Sequence, residues 1–418
     1  MKSKNKMTHM SVQVKASMIV MGTGQLMYHQ WIKGFLYLAV LIAAILYFIL
    51  TGVSDVIGFF TLGTVEADPW LGTPGDDSVI MLLRGLFSFL VMIAVVLVYR
   101  SNVKDIVECD KKVHMGKELP AFGKAVGIFL DRKFYIVALA LPVAGVLVFQ
   151  VIPIVFMILI AFTNYGGDIV PPKLVDWIGI GNFTKILALS DIKNTFFKIL
   201  GWNLIWAVAS TFLNYFGGLG LALLLNKECV KGKKFWRAFK FMFSYGGPIN
   251  YYITSAGGSA VGFLDIDAGI KAKLIGLFVN AWISIPTSML LATGILSNMN
   301  TDLYEAASID GATKWKQFIK ITLPFVIFST TPVLITSFIG NFNNFGVFYF
   351  LRGGLYMDGY FLASDTDLLI NWLYNLSIDN NYYGIGAAVS LIIFIITSVI
   401  SLTVYVRSSA YRKEDTFR

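Results

Sequence analysis

Ser337, Asn341 and Asn344 follow one another at intervals of four and three residues, set among Phe338, Phe342 and Phe345 in an apolar run. On a helix that spacing puts the three polar side chains on one face. Amides and a hydroxyl donate and accept hydrogen bonds without carrying charge, and the rings beside them offer flat apolar faces. The chemistry is that of gripping an uncharged polyol, not of breaking a bond. A plainer role is also open, because intramembrane amides commonly bond across helix pairs.

A second group lies just upstream, in the run from Glu305 through Ala306, Ala307, Asp310 and Gly311 to Pro324. Asn300, Thr301 and Asp302 offer N-cap oxygens, and Glu305 stands three residues after Asp302, so a short helix with a back-reaching carboxylate is expected. Ala306 and Ala307 permit close approach by another surface. Gly311 can take φ > 0 and turn the chain into a second, amphipathic helix, with Trp315, Phe318 and Ile319 on one face and Lys316 and Lys320 on another. Taken alone, such a pair of helices is an interfacial anchor.

Both groups need elements to hold them. The chain has 418 residues, 56% hydrophobic and 14% charged, against about a quarter charged in soluble domains. It is therefore expected to be an all-α polytopic membrane protein. About eight runs are long enough to cross a hydrocarbon core, at residues 35–50, 80–99, 134–162, 199–225, 235–263, 274–296, 321–350 and 384–406. Gly246, Gly247 and Pro248 predict a break in the fifth, while Gly217, Gly218, Gly220, Gly257 and Gly258 suit close helix packing. Three stretches follow: 1–133, with two spans and a charged linker; 134–407, with six spans and the 301–324 loop; and a tail at 408–418.

The net charge of +9 does not point to nucleic acid, because the basic residues gather in alternate connections. Lys2, Lys4, Lys6, Lys15 and Lys33 precede the first span, and Arg100, Lys104, Lys111, Lys112, Lys117, Lys124, Arg132 and Lys133 follow the second. Lys227 to Arg237 follow the fourth, Lys314, Lys316 and Lys320 the sixth, and Arg407 and Arg412 the last. The positive-inside rule then predicts both termini in the cytoplasm, with the Glu305 loop. Acidic connections, with Asp55, Glu66, Asp68, Asp76 and Asp77 in one and Asp358, Asp365, Asp367 and Asp379 in another, are expected outside. Cys109 and Cys229 fall in cytoplasmic loops, where no disulfide is expected. No cleavable signal is evident.

Several chemistries find no residues. There is no phosphate loop of the G-x-x-x-x-G-K-[ST] kind and no defensible nucleophile–base pair. His9, His29 and His114 lack neighbours at metal-ligand spacing. No catalytic residue, metal or cofactor is therefore expected. The later spans carry no ionisable residue of the sort an ion-coupled carrier uses, and Arg84 can snorkel at the end of the second span.

The pattern E-A-A, three residues, G, nine residues, I-x-L-P resembles the signature of permease subunits of binding-protein-dependent ABC importers, with the type I core. That resemblance implies docking of Glu305, Ala306, Ala307, Asp310 and Gly311 into a cleft on an ATPase subunit. The segments Leu141-Pro142, Val151-Ile152-Pro153 and Gly179-Ile180-Gly181-Asn182-Phe183 resemble the opening helix of that permease core and the external segment after it, and the 337–345 run with Thr366-Asp367-Leu368-Leu369 resembles the F-type permease of maltose/maltodextrin importers. The N-terminal Met21-Gly22-Thr23-Gly24-Gln25 is similar to the Gram-positive type. The resemblance implies oligosaccharide contacts, maltose or maltodextrin, at Ser337, Asn341 and Asn344, joined by Asn280, Ile283, Ser284 and Tyr245. Asn280, Tyr245 and Pro248 agree with that pattern. Ile283, Ser284 and Thr287 stand where it has Leu, Gly and Tyr, and Ser244 and Ile249 replace Pro and Ser.

The implied partners are a second homologous permease, two ATPase subunits carrying the ATP and Mg, an extracellular sugar-binding protein and membrane lipid, in a bacterial plasma membrane. The connection at 263–274 is shorter than that family's. An ion-coupled secondary sugar carrier and a non-transporting membrane scaffold are the alternative readings.

Overall fold

A computed structural model describes residues 11–67, 70, 72, 74–171, 173–224, 245–265 and 268–407. Cys229, Lys227 to Arg237, Ser244, the first ten residues (235–244) of the fifth expected span, His9, Arg412 and the 408–418 tail lie outside the described residues. Contacts divide the chain into two compact units, Met1–Ile178 and Gly179–Arg418.

The first unit opens with two short helices, α1 (Val12–Ile19) and α2 (Thr23–Met27). Then come α3 (Trp31–Thr61) and α4 (Ser78–His114). The 37 residues of α4 make a rod of about 55 Å, well beyond a hydrocarbon core of about 30 Å. Its charged end from Arg100 onward therefore projects past the apolar part. Asp77 caps the start by accepting hydrogen bonds from the N–H groups of Val79 and Ile80, and Lys111, Lys112 and His114 lie against the negative end of the helix dipole. The helix α3 runs further than its apolar core, so Asp55 lies within it and not in a loop, where its carboxylate accepts from the Ser88 hydroxyl. The third span is α5 (Phe122–Val146) continued by α6 (Ile152–Ile160). The wide turn between them, Leu147–Val151, comes just before Pro153, which cannot donate to a regular helical ladder.

The second unit holds α7 (Gly181–Ala188), α8 (Ser190–Leu224), α9 (Pro248–Ser255), α10 (Ile270–Ser297), α11 (Asp302–Ile309), α12 (Lys314–Gln317), α13 (Leu323–Phe342), α14 (Gly346–Arg352), α15 (Leu369–Tyr374) and α16 (Tyr383–Arg407). In all, seven helices among the described residues are long and apolar enough to cross a membrane. No strand interrupts them there.

Two expectations are corrected. The fourth span starts at Ser190 instead of Ile199, because Ile192, Thr195 and Phe196 already bury a face. The seventh is not continuous to residue 350: it stops at Phe342 and restarts at Gly346. Pro248 opens α9 where its missing N–H costs nothing, with Gly247 extended ahead of it; what precedes Tyr245 in the fifth expected span lies outside the described residues. The core sits where α8 crosses α10. A Cβ on Gly218 would lie 2.5 Å from that of Ser288, so only glycine allows the two backbones this close. Trp206 and Phe348 fill one cluster with Ile275 and Leu368, and Tyr215, Leu219, Ala292 and Val326 fill another.

Candidate functional site

A chain of uncharged hydrogen bonds ties three helices together. The Asn341 amide nitrogen donates to the Thr211 hydroxyl at 3.0 Å, and its oxygen accepts from the Asn280 amide at 3.1 Å. The Asn280 oxygen in turn accepts from the Asn344 amide at 2.9 Å. Thr211 comes from α8, Asn280 from α10 and Asn341 from the last turn of α13. Asn344 lies beyond the helix end, so the expected single helical face does not extend to it. The break at Asn343 swings it toward Asn280 instead.

That break is stable because its backbone groups are claimed. The Trp206 indole N–H donates to the Asn341 carbonyl at 3.0 Å, and the Asn203 amide donates to the Phe342 carbonyl at 3.0 Å. Asn203 also accepts from the N–H of Leu369 at 2.7 Å, while the Asn371 amide reaches the Phe345 carbonyl at 2.9 Å. Helix-terminal carbonyls left bare in an apolar surrounding would be costly. Sequence reasoning missed Thr211, Asn203, Trp206 and Asn371 as positioning residues; the signal available was Asn203 and Trp206 three apart within an apolar run.

The other expected contacts are arranged differently. Asn280 and Asn341 are buried, and Asn344 is half-buried. Ser337, one turn before Asn341, is exposed, as is Ile283, one turn beyond Asn280, and Ser284 beside it is half-buried. Tyr245 is exposed ahead of α9 and takes no part in the amide chain. The geometry therefore offers a buried, mutually bonded set of amides flanked by an exposed hydroxyl and an exposed apolar side chain.

At the other end of α13, the Glu305 run forms a small rigid projection. The helix α11 closes with paired bonds, Ala312 N–H to Ala307 carbonyl at 2.9 Å and Gly311 N–H to Ser308 carbonyl at 3.1 Å. Gly311 sits at φ +75°, a left-handed position where other side chains are strained. The expected cap differs in detail: Thr301 is already helical, and it is the Asn300 side chain that accepts from the Asp302 N–H at 2.9 Å. Glu305, Ala306 and Asp310 are exposed, and Ala307 is half-buried. Leu303 is 51% and Ile309 87% exposed, so the outer face of α11 is apolar as well as acidic.

Two side chains lock this projection to the helix behind it. The buried Gln317 amide donates to the Ser308 hydroxyl at 2.8 Å and to the Ala312 carbonyl at 3.2 Å. The Tyr304 hydroxyl pairs with that of Thr322 at 2.8 Å. Trp315 and Phe318, expected on one face, lie with rings 5.7 Å apart. A wide turn, Phe318–Thr322, joins α12 to α13 just ahead of Pro324.

Residues 238–412 match the profile of the family described as "Binding-protein-dependent transport system inner membrane component". The maltodextrin transport system permease protein MalC of Streptococcus pneumoniae is 34% identical, over 95% of this chain and 96% of its own length. The galactooligosaccharides transport system permease protein GanP of Bacillus subtilis is 30% identical, over 98% of this chain and 100% of its own. Among solved structures, a bacterial ABC transporter involved in the import of the acidic polysaccharide alginate matches with a TM-score of 0.52 at 20% identity, covering 67% of this chain and 97% of that one; the likeness is one of fold. An all-α membrane chain with a locked surface projection, matched along nearly its whole length by permeases of sugar transport systems, belongs to the permease family of the binding-protein-dependent ABC importers.

Proposed function

We propose that this permease lines the path of an uncharged oligosaccharide of the maltose or maltodextrin class. It pairs with a second homologous permease, stands on two ATPase subunits that bind the ATP and Mg, and receives sugar from an extracellular binding protein. Both termini and α11 face the cytoplasm, as the basic connections require. The maltodextrin and galactooligosaccharide transport systems to which MalC and GanP belong support a neutral oligosaccharide, and the amides at 280, 341 and 344 supply bonding without charge.

The observation that carries the reading is mechanical continuity. Gln317 and Tyr304 clamp α11 onto the helical rod from Lys314 to Phe342, whose far end bears Asn341. Gln317 and Asn341 are 24 residues apart, about 36 Å along a helix. A push on α11 thus reaches the amide chain as a rigid-body movement. Substrate hydroxyls entering there would exchange with the Asn280–Asn341–Asn344 bonds, with Ser337, Ile283, Ser284 and Tyr245 along the approach.

The test is Gly311→Asp or Glu305→Lys in the assembled importer, reading protein in the membrane, sugar uptake and ATP hydrolysis together. Normal insertion with uptake reduced tenfold or more, and hydrolysis no longer raised by sugar-loaded binding protein, is the expected outcome. Unchanged uptake would remove α11 from the coupling path.

A further inference from the structure

A cleft of about 730 Å³ in the first unit has no part in the sugar path. It opens between the start of α3, the C-terminal half of α4 from Val98 to Lys112 and the first turns of α5. The helices α3 and α4 run antiparallel here, as the pairs Lys33–Asp105 at 2.9 Å, Tyr37–Ser101 at 3.4 Å and Tyr47–Ser88 at 2.7 Å show. From Lys33 to Val40 on α3, and from Lys104 back to Val98 on α4, the lining changes from charged to apolar in the same direction. Each transition covers about 10 Å. One end therefore holds cations and hydroxyls, and the other holds exposed Leu36 and Val40.

The charges at the polar end do not cancel. Asp105 takes Lys33, and Glu108 takes Lys112 at 2.7 Å. Lys104, also on the wall, is exposed and has no ion-pair partner among the described residues. One uncompensated positive charge stands beside the Ser101 and Tyr37 hydroxyls, directly above an apolar groove. A helix from a neighbouring subunit would fill the apolar end but leave Lys104 unanswered. A soluble anion would answer Lys104 but leave Leu36 and Val40 bare.

The geometry points to an anionic phospholipid as the occupant, its headgroup phosphate at Lys104 and Ser101 and its acyl chain along Leu36, Val40 and Val98. Basic pockets between spanning helices at the membrane surface bind such headgroups, and the volume falls within the range of ligand pockets. Glu108 opposes the headgroup while holding Lys112, so its removal strengthens the site.

Native mass spectrometry of the full chain, purified in detergent and offered phosphatidylglycerol or phosphatidylcholine, tests this. Wild type retains phosphatidylglycerol in preference. Lys104→Gln, at an exposed position, lowers that retention about fivefold and leaves phosphatidylcholine unchanged, whereas Glu108→Gln raises it. Equal retention of the two lipids by wild type, indifference to Lys104→Gln, or displacement by soluble glycerol phosphate at the same concentration would each overturn the proposal.

Discussion

Asn280 is the joint of the amide chain, since it accepts from Asn344 and donates to Asn341. Replacing it by Leu leaves a buried acceptor on Asn341 and a donor on Asn344 without partners, at about 1–3 kcal/mol each. Asn280→Leu should therefore lower the thermal unfolding temperature and abolish uptake. Ser337→Ala, on an exposed side chain, should leave stability unchanged and raise the KM for sugar uptake. Thermal unfolding read beside transport kinetics separates the two roles, and a Ser337→Ala variant with wild-type KM would take that residue off the sugar's route.

A different residue gives the permease a pH response. Burial pushes the Asp367 carboxyl, on the connection before α15, up to about 6, against hydrogen bonds from Ser364 and the attraction of Arg352. Below its ordinary value, Asp367 is protonated whether or not the segment is folded. Between that value and about 6, the folded form holds a proton that the unfolded form has released, so raising the pH through this window weakens the segment. Protection of the amides of residues 353–376, measured relative to the intrinsic base-catalysed exchange rate at each pH, should be higher at pH 5 than at pH 7.5, and Asp367→Asn should flatten the difference. The spacing of Asn341 and Asn344 was legible in sequence. Thr211 was not, because its partner lies 130 residues away and no local pattern links them.

Among the elements, α11 was the most legible because its closing turn is local: a left-handed residue is needed within a few positions of the helix, and Gly311 supplies it. Gly311→Ala should cost about 1–2 kcal/mol of local stability, seen as faster exchange across residues 302–312. Gln317→Ala removes the bonds to the Ser308 hydroxyl and the Ala312 carbonyl at once and should loosen α11 further, lowering sugar uptake per ATP hydrolysed while leaving insertion intact. The expected helix across 321–350 failed for a non-local reason. Nothing between Phe342 and Gly346 forbids a helix, but Asn203 and Trp206 on α8 claim the carbonyls that would continue it. The early start of α8 was hidden because its first turns alternate polar and apolar residues in a way that hydropathy alone passes over. The wide turns before Pro153 and Pro324 follow from the prolines, which were visible; the form of the turn was not.

At the scale of the whole molecule, helical class and family follow from features that composition and one motif already carried; against eight expected spans, seven long apolar helices are found among the described residues, and the described part of the fifth holds only the short α9. Assembly and sidedness rest on the projection at Glu305 to Gly311 meeting a separate ATPase. Cysteine cross-linking tests that directly: Ala306→Cys is introduced into a chain in which Cys109 and Cys229 have been replaced, and the importer is cross-linked in membrane vesicles with and without ATP. A cross-link to the ATPase subunit whose yield changes with ATP is the predicted result. Failure to reach that subunit, with labelling of residue 306 by a membrane-impermeant thiol reagent added outside intact cells, would contradict it.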